Sequence, residues 1–188
     1  MNDTAGKLVV ISAPSGTGKG TVIKKLLELR PEFVFSVSAT TRAPRQGETE
    51  GVEYYFMDRE HFREMIDKGE FLEYAEYVGE FYGTPRKPII DKMEAGRVVL
   101  LDIEVQGAKQ VMTKEPAAIT IFIAPPSMAE LENRLRGRGT DSEEKLAARL
   151  KRAREELEEK SHYRHIVVND DVARAADEII SIVFSKCR

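Results

Sequence analysis

Short, mostly apolar runs alternate with longer segments of mixed polarity along the chain. Such runs are typical of strands buried on both faces of a parallel sheet. The clearest occupy residues 8–11, 98–101, 119–123 and 166–168, and residues 33–38 could supply a fifth. Apolar residues at helical spacing predict helices directly after residue 21 and at 88–95, 128–135, 142–160 and 172–185. This alternation predicts an α/β fold around a five-stranded parallel sheet.

Residues 38–88 follow a different pattern. They contain all but one of the tyrosines, and their apolar and polar positions alternate. Within them, the stretch EFLEYAEYVGEFYGTP predicts short antiparallel strands with a turn at Val78, Gly79 and Glu80. We therefore expect a small mixed lobe inserted into the sheet domain. A later, highly charged stretch that begins RLRGRGTDSEEK predicts a mobile helical flap.

The composition narrows the class of protein. A chain of 188 residues fits one globular domain, and no apolar run approaches the ~18 residues of a membrane span. The first residues lack the features of a signal peptide. The single Cys187 excludes an internal disulfide, so we expect a cytoplasmic location. A net charge of −3 provides no general basic field for nucleic acid, so any anion site must be local.

Residues 13–21 read APSGTGKGT and connect the first predicted strand to the first predicted helix. This context favours a phosphate-binding P-loop, although the loop departs from G-x-x-x-x-G-K-[ST] at its first and eighth positions. Gly16 and Gly18 allow the backbone to turn tightly, and the helix N-terminus attracts anions. Lys19 adds a positive charge at the transferring phosphates. A plain turn with a solvated lysine is the less favoured alternative.

The two departures have different consequences. Ala13 adds only a methyl group, and we expect its backbone to have a negative φ. Gly20 lacks the hydroxyl that usually helps to hold Mg²⁺, and the adjacent Thr21 is expected to point elsewhere along the helix. We therefore expect Mg²⁺ to be held by the phosphates of ATP and by water, with no direct protein ligand assigned. The GKGT variant also resembles the loop of adenylate kinases.

Further segments resemble the guanylate kinase family, in its order and with the expected gaps. They are SVSATTRAPRQGETEGVEYYF, FLEYAEYVGEFYGTP, LLDIEVQGAKQV, IFIAPPS, RLRGRGTDSEEKLAARL and VVND. The resemblance covers residues 7–184 and implies transfer of the γ-phosphoryl group of ATP to GMP with Mg²⁺. It implies a single domain, 1–188, with a P-loop nucleoside monophosphate kinase core (1–37, 89–126 and 161–188), an inserted mixed α/β GMP-binding lobe (about 38–88) and a helical lid (about 127–160).

The resemblance assigns the contacts of GMP to the lobe. Four positions match the family's ligands of the GMP phosphate: Arg42, Arg45, Tyr54 and Tyr82. Guanidinium groups grip phosphate oxygens in bidentate fashion, and phenol hydroxyls donate without adding charge. Three positions match residues that read guanine: Ser38, Glu73 and Thr84. A carboxylate accepts from guanine N1–H and the 2-amino group, which adenine lacks. Taken without the motif, Glu73 is a solvated strand residue.

Asp102 ends a predicted strand, at the edge of the sheet where α/β proteins bind ligands. By resemblance it lies near the metal and the GMP side of the reacting centre, where Glu104 assists. A helix N-cap for the segment that follows is the alternative role of Asp102.

The resemblance also implies an ATP site. It comprises Ala13, Pro14, Ser15, Gly16, Thr17, Gly18, Lys19, Gly20, Thr21, Arg134, Arg138 and Asn169. Catalytic roles through charge stabilisation are expected for Lys19, Arg42, Asp102, Arg134, Arg138 and Arg149. Solvated ion pairs are the competing interpretation of the lid arginines, and a turn is that of Asn169. The stretch KRAREELEEK is expected to be a solvated face.

The expected reaction needs no general base, because the acceptor is a phosphate oxygen that is already ionised. The three histidines, His61, His162 and His165, therefore have no assigned role. A kinase of ribose 1,5-bisphosphate is one alternative, which the guanine-reading positions oppose. A guanylate-kinase-like module that binds phosphopeptides is another, which the intact loop and lid residues oppose. The expected partners are ATP and GMP, without nucleic acid or membrane, and the oligomeric state is left open.

Overall fold

The computed structural model describes residues 6–137 and 142–185. The strands are β1 (Lys7–Ser12), β2 (Phe33–Phe35), β3 (Ser38–Thr40), β4 (Tyr54–Phe56), β5 (Phe71–Tyr77), β6 (Glu80–Pro85), β7 (Val98–Asp102), β8 (Ile119–Ala124) and β9 (His165–Val168). The α-helices are α1 (Lys19–Leu29), α2 (Arg59–Asp67), α3 (Arg86–Glu94), α4 (Val105–Lys114), α5 (Met128–Arg136), α6 (Glu143–Glu158) and α7 (Val172–Phe184). The predicted lid residue Arg138 and the single Cys187 lie outside the described residues.

The predicted five-stranded parallel sheet is confirmed, with the strand order β2-β7-β1-β8-β9. The register pairs Ile11 with Asp102, so the loop after β1 and the end of β7 meet at one edge of the sheet. The predicted fifth strand was too long. Its last hydrogen bond to β7 runs from Ser36 N–H to Leu100 O (3.0 Å), and Ser38 already belongs to β3 in another sheet.

An apolar layer covers each face of this sheet. Val9 and Ile11 of β1 belong to the layer that includes α1 and α7. Leu8 and Val10 point the other way, into the layer that includes α3 and α4. Full burial of such a side chain contributes about 1.5–3 kcal/mol. The sheet is therefore a rigid base for the loops at the carboxyl ends of its strands.

A second sheet has four strands in the order β4-β3-β6-β5. β5 and β6 form the predicted antiparallel hairpin. Val78 and Gly79 at its turn have φ angles of 51° and 78°, and two positive φ angles are typical of the type I′ turns that suit hairpins. Phe62 of α2 stacks on Phe71 and Phe81 of this sheet, with ring centroids 4.3 Å and 5.4 Å apart. These rings give the second sheet a small core of its own.

The five predicted helices are confirmed: α1 begins at Lys19, and α3, α5, α6 and α7 have ends within two residues of the predicted ones. Two helices were not predicted. α4 contains Gly107 together with β-branched Val105 and Val111, which weaken a helix signal. α2 carries a recognisable start, because the Asp58 side chain accepts a hydrogen bond from His61 N–H (2.7 Å) as an N-cap.

The helices α5 and α6 pack on each other beside the loop after β1. Their shared apolar contacts include Leu131, Leu135, Leu146 and Leu150. A Cβ atom at Gly16 would lie 2.6 Å from Leu135 Cδ2, so the loop fits against α5 because residue 16 has no side chain. Among the helices in the described parts of the chain, none has the length and apolarity needed to cross a membrane.

Candidate active site

The loop between β1 and α1 takes its shape from two glycines. Gly16 and Gly18 have φ angles of 92° and 91°, which residues with side chains rarely adopt. Thr17 lies between them, is buried, and donates its hydroxyl to Pro14 O (2.7 Å). Ala13 is not among the residues with positive φ, as the sequence predicted for that departure from the P-loop pattern.

The start of the helix after the loop favours anions. α1 begins at Lys19 with neither a side-chain cap nor an acidic residue in its first turn. The first N–H groups of a helix have no partner within it, and the helix dipole makes this end attractive to anions. The loop and the start of α1 therefore have the geometry of a phosphate-binding element.

Two distant side chains hold this loop in place through the Thr17 carbonyl oxygen. Asn169 Nδ2 donates to it at 2.7 Å and Arg134 Nη1 at 3.3 Å. Asn169 is buried, and a Cβ atom at Gly18 would lie 2.7 Å from its Nδ2 atom. Asn169 thus supports the loop directly, which sequence reasoning did not anticipate, while its contact with adenine stays a prediction.

Asp102 lies beside the loop, as the sequence predicted for the end of a strand at this sheet edge. Its carboxylate forms an ion pair with the Lys19 ammonium, and the two side chains are 27% and 21% exposed. The N-cap position of α4 is occupied by Glu104 instead. Asp102 is therefore available to act at the phosphate loop rather than as a helix cap.

A cavity of about 490 Å³ opens in front of the loop. Loop residues line it together with Glu104, Arg149, Arg152 and Glu156. Arg149 Nη2 donates to Ser15 Oγ at 2.7 Å, so the predicted lid arginine reaches the loop. Thr21, which was expected to point elsewhere, also lines the cavity.

Arg152 and Glu156 correct the expectation that their segment is only a solvated face. Arg152 contacts Glu104 through Nη2 (2.8 Å) and Glu156 through Nε (2.9 Å). The signal in the sequence is the spacing of three from Arg149, which places both arginines on one side of a helix. Glu104 lies at this cavity in the present structure, and its assistance to GMP stays a prediction.

A second cluster, in the lobe, brings together Arg42, Tyr54 and Tyr82. The two tyrosine ring centroids are 6.1 Å apart, and the Arg42 guanidinium carbon lies 5.4 Å from the centroid of Tyr54. Glu48 accepts two hydrogen bonds from Arg42, of 3.0 Å and 2.8 Å, and one from Arg45 N–H (2.7 Å). Hydrogen bonding between Arg42 and Glu48 raises the pKa of Arg42 and lowers the pKa of Glu48.

Glu48 is a further residue of this cluster that sequence reasoning missed. Its signal was a carboxylate six residues after Arg42 in the same short connection. A carboxylate that pairs with a guanidinium in bidentate fashion uses the same donors that a phosphate would use. Glu48 therefore occupies the face of Arg42 that a phosphate would bind.

Glu73 and Thr84 face each other across the hairpin of β5 and β6. Glu73 is 7% exposed and accepts a hydrogen bond from Thr84 Oγ1 at 2.6 Å. Burial raises the pKa of Glu73, and the Thr84 hydrogen bond opposes this effect. Ser38, the third predicted base-reading residue, lies on β3 in register with Tyr54. The interpretation of Glu73 as a solvated strand residue is therefore wrong.

The described residues contain no group of three or more His, Cys, Asp or Glu side chains placed to hold a metal ion. The oxygen donors near the loop include Asp102 and Glu104, together with Thr21. Mg²⁺ accepts oxygen donors and retains several waters, so it commonly binds through one or two carboxylates and substrate phosphates. The donors present fit that mode of binding.

The loop, the parallel sheet and the arginine-lined cavity define a P-loop nucleotide kinase. A family model described as guanylate kinase matches residues 5–186. Guanylate kinase from Nostoc sp. is 50% identical over 183 residues (97% of this chain, 92% of the relative), and that from Trichodesmium erythraeum is 53% identical over 179 residues (95% and 96%). The chain belongs to the guanylate kinase family. The crystal structure of guanylate kinase from Anaplasma phagocytophilum superposes with a TM-score of 0.72 at 41% identity, covering 96% of this chain and 86% of that one.

Proposed function

We propose that the protein transfers the γ-phosphoryl group of ATP to GMP, forming ADP and GDP. The observation that carries this proposal is the buried Glu73, bonded to Thr84, at the position where the family reads guanine. The full-length similarity to proteins named guanylate kinase supports it. In this proposal the chain consists of a core, a GMP-binding lobe at about 38–88 and a lid at about 127–160.

The GMP phosphate binds to Arg42, Arg45, Tyr54 and Tyr82 in this proposal. It replaces Glu48 on the Arg42 guanidinium, because both are anions that accept the same pair of N–H groups. The phosphate carries more charge than the carboxylate and accepts additional hydrogen bonds from the tyrosine hydroxyls. The cluster then positions one phosphate oxygen to attack ATP.

Guanine is selected by Glu73, with Ser38 and Thr84 as hydroxyl partners. The carboxylate accepts from guanine N1–H and the 2-amino group. Adenine offers neither donor, so AMP would leave the buried carboxylate without the two hydrogen bonds that guanine supplies, which is costly. Burial of Glu73 sharpens this selection because water cannot replace the missing donors.

The ATP phosphates bind to the loop 13–21, with Lys19 and Arg134 as positive charges beside them. Arg149 and Arg138 add charge from the lid. Their combined effect is to stabilise the negative charge that spreads over the transferring group, while the two nucleotides are held in line. Asn169 keeps the loop in shape through Thr17.

Mg²⁺ bound with ATP would neutralise phosphate charge and help to orient the transferring group. Asp102 is the protein carboxylate best placed to assist its hydration shell, and Gly20 offers no hydroxyl. We further propose that the protein acts in the cytoplasm as an enzyme of purine nucleotide metabolism.

A coupled assay of ADP formation tests the proposal. ATP with GMP should give turnover, and ATP with AMP should give little. Glu73→Gln should lower kcat/KM for GMP about 100-fold, because two hydrogen bonds to a charged acceptor are altered, and should leave the KM for ATP unchanged. Equal turnover of AMP, or turnover of ribose 1,5-bisphosphate instead of GMP, would refute the assignment. Tight phosphopeptide binding without turnover would indicate a binding module.

A further inference from the structure

We propose that Gln110 is a positioning residue that holds the guanine-reading carboxylate of Glu73, and that it thereby sets the selectivity for guanine. The inference rests on the proposed function and names a residue outside the predicted nucleotide contacts. It concerns the contact between helix α4 of the core and strand β5 of the lobe.

One face of α4 lies along β5. Gly107, Gln110 and Lys114 are spaced by three and four residues, so they form one stripe on the helix. A Cβ atom at Gly107 would lie 2.8 Å from Glu73 Oε2, so the absence of a side chain lets the helix approach the carboxylate. Lys114 Nζ donates to Phe71 O at 2.9 Å, at the start of the strand.

Gln110 makes the central contact of this stripe. Its Oε1 atom accepts from Tyr74 N–H (3.2 Å), and its Nε2 atom donates to Tyr74 O (2.9 Å). This donor and acceptor pair replaces the backbone C=O and N–H groups that a neighbouring strand would supply. β5 is the last strand of its sheet, and an edge strand otherwise has unpaired backbone groups. Gln110 therefore completes the pairing of β5 at Tyr74.

The Tyr74 N–H belongs to the peptide unit that follows Glu73. On its other side β5 pairs with β6, where Glu73 is opposite Thr84. The backbone around Glu73 is thus fixed from both sides, by β6 and by Gln110. A binding group needs such support, because a displacement of about 1 Å weakens or abolishes its hydrogen bonds to a ligand.

The helix that carries Gln110 begins directly after Asp102 and Glu104. One rigid element thus joins the phosphate-binding edge of the sheet to the carboxylate that reads the base. The Gln110 contact sets the distance between the acceptor's base and the site of phosphoryl transfer. It is a determinant of selectivity that acts through the backbone and does not touch the nucleotide.

The test uses Gln110→Met, which keeps the length of the side chain and removes both hydrogen bonds. Kinetics are measured with GMP and with inosine monophosphate, which lacks the 2-amino group that Glu73 recognises. We expect the KM for GMP to rise about tenfold and the preference for GMP over inosine monophosphate to fall about fivefold. The KM for ATP should stay unchanged. Gln110→Glu keeps the acceptor and loses the donor, so it should give an intermediate selectivity.

Gln106→Met is the matched control, because Gln106 lies on the same helix with an exposed side chain. It should retain the wild-type selectivity. The ratio of kcat/KM values for the two acceptors does not depend on the folded fraction, so a purely structural role of Gln110 would leave it unchanged. An unchanged ratio in Gln110→Met, or an equal loss in Gln106→Met, would overturn the inference. Wild-type protein without GMP turnover would refute the proposed function itself.

Discussion

Lys19 of the phosphate loop forms an ion pair with Asp102 at the end of β7. Lys19 is the first residue of α1, after the loop that follows β1, and Asp102 ends β7. Strands β1 and β7 are adjacent and paired along most of their length. The two charges are therefore held in fixed positions at one edge of the sheet. Asp102 pairs with Lys19, and under the proposed function the phosphate oxygens of ATP would compete with Asp102 for this ammonium.

Lys19→Met should lower kcat at least about 100-fold, because a preorganised charge at the transferring group is lost. Binding of GMP, measured by calorimetry, should change little, because the predicted ligands of its phosphate and its base lie in the lobe and only Asp102 and Glu104 are expected on the core side. Lys25→Met is the control, since Lys25 is on the same helix in a loose surface pair with Glu28 (3.8 Å). A kcat that survives in Lys19→Met would contradict the assignment of the phosphate loop.

Arg42→Lys should raise the KM for GMP about 30-fold, because lysine keeps the charge but loses the two parallel donors that a phosphate needs. The KM for ATP should remain at its wild-type value. Arg174→Lys provides the comparison, since Arg174 pairs with Asp170 and Glu178 elsewhere on the surface. Equal effects of the two substitutions on the KM for GMP would show that Arg42 does not bind the acceptor phosphate.

Glu73→Gln should change the pH dependence of stability. Burial raises the pKa of Glu73 in the folded state, so the folded protein holds more protons than the unfolded chain between the ordinary and the raised pKa. The contribution of Glu73 to the free energy of unfolding then falls as the pH rises through this interval. The free energy of unfolding of Glu73→Gln, relative to that of the wild type, should therefore rise over the same pH interval. Urea unfolding at several pH values measures this difference.

Glu48→Gln should show the opposite trend in the same experiment. Hydrogen bonding to Arg42 lowers the pKa of Glu48, so this carboxylate stabilises the fold above its ordinary pKa and loses that effect as the pH falls. The free energy of unfolding that Glu48→Gln loses relative to the wild type should therefore be largest near neutral pH. Two variants with the same trend would contradict the assigned environments.

The sequence was sufficient for the central sheet and for the residues that belong to compact motifs. Lys19 and Asp102 could be predicted because a loop or a strand end fixes their position within a few residues. Gln110 could not, because its partner Tyr74 is 36 residues away and a glutamine on a helix has no distinctive pattern. Arg152 was missed for a similar reason, since only the packing of α6 shows which arginines face the cavity.

Arg152→Ala should raise the KM for ATP about threefold, a modest effect because this arginine is 53% exposed. Its removal takes one positive charge from beside Glu104 and Glu156, at the cavity where the ATP phosphates are proposed to bind. Added salt should reduce the difference in the KM for ATP between the variant and the wild type, because exposed charges are screened. Arg154→Ala, on the same helix and exposed, should have no effect on ATP. A rise in the KM for ATP that does not depend on salt would indicate a different role for Arg152.

Gly20→Ser tests whether a hydroxyl group at position 20 changes the Mg²⁺ requirement of the protein. A Cβ atom at Gly20 would meet nothing within 4 Å, and its φ is not positive, so the serine should fit. Replacement of glycine in the first turn of α1 should stabilise the protein by about 0.5 kcal/mol. The added hydroxyl can join the shell of Mg²⁺, so half-maximal turnover should need about threefold less Mg²⁺.

The comparison that decides this point is Thr21→Ala, since Thr21 also lines the cavity. If Mg²⁺ is held by phosphates and water, loss of this hydroxyl leaves the Mg²⁺ requirement unchanged, whereas Gly20→Ser lowers it. A Thr21→Ala variant that needs far more Mg²⁺ would instead identify Thr21 as the ligand, and the residue at position 20 would be irrelevant to the metal. Titrations of Mg²⁺ at saturating ATP and GMP, with chelator as the zero point, distinguish these outcomes.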